Sequence, residues 1–143
     1  NQALQDSLEL GEPRRQTIDR IYKYTLGEIG RTRAKVIART ETTRATNVGK
    51  RKSADDWSIV TGGTQMYKKW IHIPTPEFRE FHLELANDKP IPIDSVWTVR
   101  NPQGGTNDML QPGDASAPGN QTINCNCTTI YMSERFARRN YGV

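Results

Sequence analysis

Cys125 and Cys127, separated by one residue, together with His82 are the side chains in this sequence best suited to holding a borderline-soft metal ion. A zinc ion bound by Cys125, Cys127 and His82, with His72 or an aspartate as fourth ligand, is chemically sensible. On a strand the two thiols would share one face, about 7 Å apart at Cα, and so short a spacing rarely suits a disulfide. Free thiols and a reducing compartment follow as the simpler expectation. The alternative is that both thiols are small buried hydrophobes and His82 a hydrogen-bonded core histidine. Structural zinc sites more often draw paired cysteines from two separate knuckles, which weighs towards the packing role.

Arg39 and Glu41 raise a second kind of chemistry, because ADP-ribosyltransferases use an arginine to hold the dinucleotide and a glutamate near the ribose in one cleft. Two apart on a helix, however, they point about 200° away from each other. A bracing role is the better expectation: Arg39 against the segment carrying Cys125, and Glu41 paired with Arg44 a turn later. No residue is assigned as catalytic. Basic clusters form a third group: Arg14-Arg15, Arg31/Arg33/Lys35, Lys50-Arg51-Lys52, Lys68-Lys69 and Arg135/Arg138/Arg139. Of these, Lys50, Arg51, Lys52, Arg135, Arg138 and Arg139 are the candidate contacts to a DNA backbone, although such runs are more often a solvated face.

These groups must be positioned by a chain of 143 residues, long enough for one domain with a core and short for two. Apolar residues make up 34% and charged residues 25%, which points to a polar domain with long loops, while three Trp, five Tyr and three Phe exclude a disordered composition. The net charge of +4 permits contact with nucleic acid without requiring it. Neither an apolar run of membrane-spanning length nor a signal peptide is visible. A start at Asn1 fits a processed product or a fragment of a longer polypeptide.

Residues 1–12 lack clear periodicity and are read as a linker or N-terminal extension. Glu12-Pro13 then opens a helix whose stripe is Ile18, Ile21, Tyr22, Leu26 and Ile29, with Gly27 and Gly30 weakening its end. A second helix follows over Thr32–Asn47, broken near Gly49 and resuming through Ala54, Trp57 and Val60 until Gly62-Gly63. Met66–Ile73 reads as a strand, and Thr75-Pro76-Glu77 as the start of a short helix carrying Phe78, Arg79, Phe81 and His82. Short strands are expected around Ile91, Ile93 and Val96–Val99. A long Gly- and Pro-rich loop spans Arg100–Thr122, and strand composition returns over Ile123–Met132. Residues 133–143 form a basic C-terminal tail, either a short helix or an arm. The expected architecture is therefore α+β: N-terminal helices, then a small, mainly antiparallel sheet with one short packed helix and long loops, folded as a single domain over residues 13–132.

Several separated features fall into one order: Ile37-Ala38-Arg39-Thr40-Glu41 with Asn47, then Trp70, then Arg79 and His82, then Pro112-Gly113-Asp114, and finally Asn124-Cys125-Asn126-Cys127. This order resembles the phage Mu F-like family of minor head (head morphogenesis) proteins, as its C-terminal domain, over roughly Arg31 to Met132. Each motif is short, and the specificity lies in the joint order. Asn126 departs from the family pattern, which usually has an arginine between the two cysteines, and the loop Gly104–Asn120 is longer than the family would suggest. The resemblance implies a capsid-associated protein of a tailed-phage head. It would act in head morphogenesis near the portal, and in DNA packaging or ejection, with portal protein, other head proteins and the backbone of double-stranded DNA as partners. It would be found in the virion head, and in host cytoplasm during assembly. Two readings from other classes compete: an effector enzyme of the ADP-ribosyltransferase or nuclease kind, and a zinc-stabilised DNA-binding module.

Overall fold

A computed structural model describes residues 2–25, 30–75 and 78–143 of the chain. The architecture is α+β. Three helices come first: α1 (Gln2–Glu9), α2 (Arg14–Tyr24) and α3 (Arg31–Val60). Then follow β1 (Met66–Ile71), α4 (Glu80–Asn87), β2 (Ile91–Pro92), β3 (Trp97–Arg100), β4 (Thr106–Met109), α5 (Gly119–Thr122), β5 (Thr128–Ser133) and α6 (Glu134–Tyr141). The strands make an antiparallel sheet in the order β2-β1-β5 and a separate β3-β4 hairpin.

Residues 2–9 are a helix and not the connecting segment expected from their pattern. Its buried face is made of Ala3 and Ser7, too small and too polar to register as an apolar stripe. Ala3 packs with Ile21 of α2 and with Ala34 and Ala38 of α3, while the Ser7 and Thr17 hydroxyls hydrogen-bond at 2.6 Å. An ion pair from Arg20 to Glu12 ties the α1–α2 connection to α2. The stripe expected to continue to Leu26 and Ile29 lies outside the described residues there.

α3 runs unbroken for 30 residues through Gly49, where a break was expected. A glycine inside a helix costs about 1 kcal/mol relative to alanine, a penalty smaller than the anchoring on either side of this one. Asn47 is buried before it, and Ala54 and the Ile93-bound guanidinium of Arg51 hold the helix after it. α6 is capped by Ser133, whose hydroxyl accepts from the Phe136 N–H, and closed by Gly142 in the left-handed region. The end of the chain is thus a helix and not a free arm.

β1 alternates strictly, with Met66, Lys68 and Trp70 buried. Its partner β5 begins only at Thr128, later than the Ile123 expected, because Asn124 takes φ +61° and turns the chain before the strand can start. The helix expected to start at Thr75-Pro76-Glu77 begins at Glu80, so Phe78 and Arg79 precede it; Pro76 and Glu77 lie outside the described residues. The stretch after Arg100, expected to be a loop, contains the strand β4 and the single turn α5. Trp70, Leu85, Trp97, Val99, Met109, Cys125 and Cys127 form the main core, between β1, α4, the hairpin and the segment entering β5.

Candidate functional site

The buried face of α3 is polar: Thr40, Thr43 and Asn47 recur at helical spacing, and each is at least 90% buried. What covers them is main chain. The Thr40 hydroxyl accepts the Asn124 N–H at 2.9 Å, and the Thr43 hydroxyl donates to the Cys125 carbonyl at 2.9 Å. Asn47 Nδ2 donates to the carbonyls of Cys127 at 3.1 Å, Pro112 at 3.0 Å and Thr43 at 3.1 Å, while Oδ1 accepts from Thr128 Oγ1 and the Thr129 N–H. The match is geometric. Thr40 to Asn47 rise about 10 Å along the helix, and the three contacts follow the incoming segment in order from Asn124 through Cys125 to Cys127.

The flanking motif residues complete this clasp. Arg39 Nη1 donates to Asn124 Oδ1 at 2.7 Å, and Glu41 pairs with Arg44, at 3.1 Å. Arg44 Nε donates to the Gly113 carbonyl at 3.2 Å. Across the core, Arg79 donates to the carbonyls of Asn120 at 2.6 Å and Ile123 at 2.8 Å. In the Pro112-Gly113-Asp114 turn, the Asp114 carboxylate accepts the N–H groups of Leu110 and Ser116. Burial works against its charge, but these bonds hold its carboxyl below the ordinary aspartate value.

Gly113 has φ +77°, and an added Cβ would lie 3.3 Å from the Arg44 Cα. Backbone conformation and close approach to α3 therefore both require glycine. Gly113→Ala is expected to lower unfolding free energy by about 1–3 kcal/mol, read as a shift in the urea midpoint. A change within a few tenths of a kcal/mol would show that the turn relaxes freely.

At the centre lie the thiols. Cys125 and Cys127 are free and buried, not on a strand but on the irregular segment between the Asn124 turn and β5. The same-face strand geometry expected for them is replaced by a tighter one, in which both sulfurs converge on a single atom. Cys125 Sγ lies 3.6 Å and Cys127 Sγ 3.8 Å from His82 Nδ1, and the three ligand atoms are all within 4.8 Å of one another. Among the described residues no further His, Cys, Asp or Glu joins this group. His72 lines the adjacent cavity with its ring edge-on to Phe78.

The tautomer of His82 follows from its other side. Gln121, fully buried, donates through Nε2 to the Arg100 carbonyl at 2.7 Å, which fixes its amide so that Oε1 faces His82 Nε2 at 3.0 Å. Nε2 must therefore carry the proton, leaving the bare lone pair on Nδ1 facing the sulfurs. Trp70 stands edge-on to His82 with ring centroids 5.1 Å apart. Its indole N–H has no partner within hydrogen-bond distance, yet lies close enough to the Cys127 sulfur to favour a thiolate there. The Cys127 N–H reaches Cys125 Sγ at 3.4 Å. Hydrogen bonding between the two sulfurs pulls Cys127 well below the usual thiol value and, with burial, pushes Cys125 up.

The basic residues fare unevenly as a phosphate surface. Arg51 is turned inward to the Ile93 carbonyl, Asp94 and Asp55. Lys50 donates to Thr128 Oγ1, Lys52 pairs with Asp56, and Arg138 with Glu134. Arg135 and Arg139 are exposed on α6. Lys68 and Lys69 are not a surface cluster: Lys68 is fully buried with Nζ on the Leu110 carbonyl, and Lys69 donates to the carbonyls of Ala86 and Asp88.

Sequence reasoning missed Gln121 as part of the site and the burial of Lys68. Gln121 sits in a turn-rich stretch with no periodicity to mark it. Lys68 could have been found from the strict alternation of β1, which places it on the same face as Trp70. The chain matches no protein-family model, no curated protein and no solved structure.

Proposed function

We propose that the chain is the C-terminal, clasp-bearing domain of a tailed-phage minor head protein, which acts in head morphogenesis near the portal. One observation supports this reading: the motifs that carry the resemblance, scattered over more than eighty residues, meet at one place. Arg39 and Thr40 hold Asn124, Asn47 holds the carbonyls of Pro112 and Cys127, and Trp70 and His82 close over the two cysteines. A motif set that forms one physical unit fits a shared fold better than chance agreement does. Within the unit, Arg39 and Glu41 are both engaged in bracing contacts. Such a domain suits an assembly role in which other head proteins, portal protein among them, bind its outer surface. Of the six residues singled out for a DNA backbone, Arg135 and Arg139 on α6 are exposed and would be free to contact it by charge. Among the described residues no helix is long and apolar enough to cross a membrane. Electron microscopy of assembling particles tests the proposal: density for this domain at the portal vertex is expected, and its absence from both procapsids and mature heads would overturn it.

A further inference from the structure

We infer that Cys125, Cys127 and His82 bind one zinc-type divalent ion, with the fourth coordination position left to an exchangeable water-sized ligand. The inference is independent of the head-protein reading.

Geometry is the first ground. A tetrahedral ion with metal–sulfur bonds of about 2.3 Å and a metal–nitrogen bond of about 2.0–2.1 Å sets each sulfur about 3.6 Å from the nitrogen. The observed separations are 3.6 and 3.8 Å. Thiol hydrogen bonding alone accounts for this less well, because Nδ1 offers a single lone pair and two sulfurs approach it almost equally. An ion between the three atoms satisfies them all. Two thiolates and a neutral imidazole also balance a divalent charge, so the cluster can be buried without a net charge. Soft sulfur donors select against magnesium and calcium and in favour of zinc.

The surroundings supply what a metal histidine and metal thiolates need. The Gln121 amide, itself fixed by the Arg100 carbonyl, holds the His82 tautomer that presents Nδ1. The Cys127 N–H donates to Cys125 Sγ. Beside the three ligands, a cavity of about 10 Å³ is lined by residues that include His72, Arg79 and Asn126. That is room for about one water molecule. Asn126 Oδ1 is buried without a hydrogen-bond partner, and a metal-bound water in the cavity would supply the missing donor. His72 lines the same cavity but stays outside the ligand group, so three protein ligands and one open position describe the site.

The test uses the full chain, expressed with added zinc and purified without chelators. About one zinc per chain by elemental analysis is expected, as is a thiolate-to-metal charge-transfer band when cobalt(II) replaces it. Cys125→Ser and Cys127→Ser should each lose both signals. Gln121→Leu keeps every ligand and should weaken zinc about 10–100-fold, measured by competition with a chromophoric chelator. His72→Ala should bind zinc as the unaltered chain does. A folded chain that takes up neither zinc nor cobalt overturns the proposal, as does metal retained in both cysteine variants. Loss of metal in His72→Ala would overturn the open fourth position. Should the cysteine variants fail to fold, the metal content of the unaltered chain and the Gln121→Leu affinity still decide the matter.

Discussion

Asn47→Asp is expected to be the most damaging single-atom exchange in this protein, lowering unfolding free energy by about 3–5 kcal/mol. The substitution keeps size and shape and retains an oxygen able to accept from Thr128 Oγ1 and the Thr129 N–H. It removes the Asn47 Nδ2 donor to the Pro112 and Cys127 carbonyls across the clasp and sets a second carboxylate oxygen against them. Each buried acceptor left without a partner costs about 1–3 kcal/mol, and the new charge adds to that. Asn47→Ala should cost somewhat less, since it deletes the bonds without introducing repulsion. For a domain of this size the Asp variant should melt roughly 10 °C below the unaltered chain. Calorimetry of the two variants gives the answer, and equal, small shifts in both would mean that water replaces the side chain and that the clasp contributes little.

Lys68→Met is expected to act in the opposite direction, stabilising the protein at neutral pH by about 1–3 kcal/mol. Lys68 is fully buried, its Nζ 2.8 Å from the Leu110 carbonyl and 4.5 Å from the centroid of the Trp97 ring. Burial, reinforced by the nearby Arg51 charge and only partly offset by Asp94, Asp114 and Asp55, lowers its pKa from 10.5 to about 8. Between pH 8 and 10.5 the unfolded chain therefore holds a proton that the folded chain has released, so this lysine's contribution to stability rises with pH across that window. Below pH 8 both states are protonated and the folded protein bears the full penalty. At about 1.36 kcal/mol for each pH unit, the interval corresponds to about 3 kcal/mol. Loss of the bond to Leu110 reduces the gain from substitution. Other groups titrate in the same range, Tyr131 among them, with its hydroxyl pushed up to about 12 by burial. The quantity to follow is accordingly the difference between the unaltered chain and Lys68→Met in urea unfolding from pH 6 to 10.5. That difference should shrink towards zero at the alkaline end, and a pH-independent difference would remove the buried-charge explanation.

The α+β class was legible because its signals are periodic: the stripe through Ile18 and Ile21, the alternation from Met66 to Trp70, and the aromatic and β-branched run ending at Val99. What escaped was decided by contacts between distant residues. α1 buries Ala3 and Ser7 against α2 and α3, and no window of ten residues contains that partner. Gly49 looks like a helix break until the contacts of Asn47 and Arg51 on either side are known. The site was half legible. Its residue types and order were visible, with Arg39 paired to Asn124 and Glu41 to Arg44. The turn at Asn124, which takes the cysteines off a strand and brings both sulfurs onto His82, rests on one positive φ that the Asn type permits but does not dictate. Gln121 illustrates the remaining limit, since its role comes from what stands on either side of it, His82 and the Arg100 carbonyl, and not from any local pattern.

α3 grips its partner segments largely by their carbonyls, those of Pro112, Gly113, Cys125 and Cys127. Every amino acid carries a carbonyl, so these loops can be rewritten in sequence without loosening the grip. Gly113, which must leave room, and Asn124, whose side chain Arg39 holds, are tied more closely to their residue types. Asn126, which stands where an arginine would fit the resemblance, is invisible to the helix in this sense. The latitude is one-sided: Thr40, Thr43 and Asn47 spend their side chains on the contact, and drift in such a protein would accumulate on the held loops while the holding helix kept its letters.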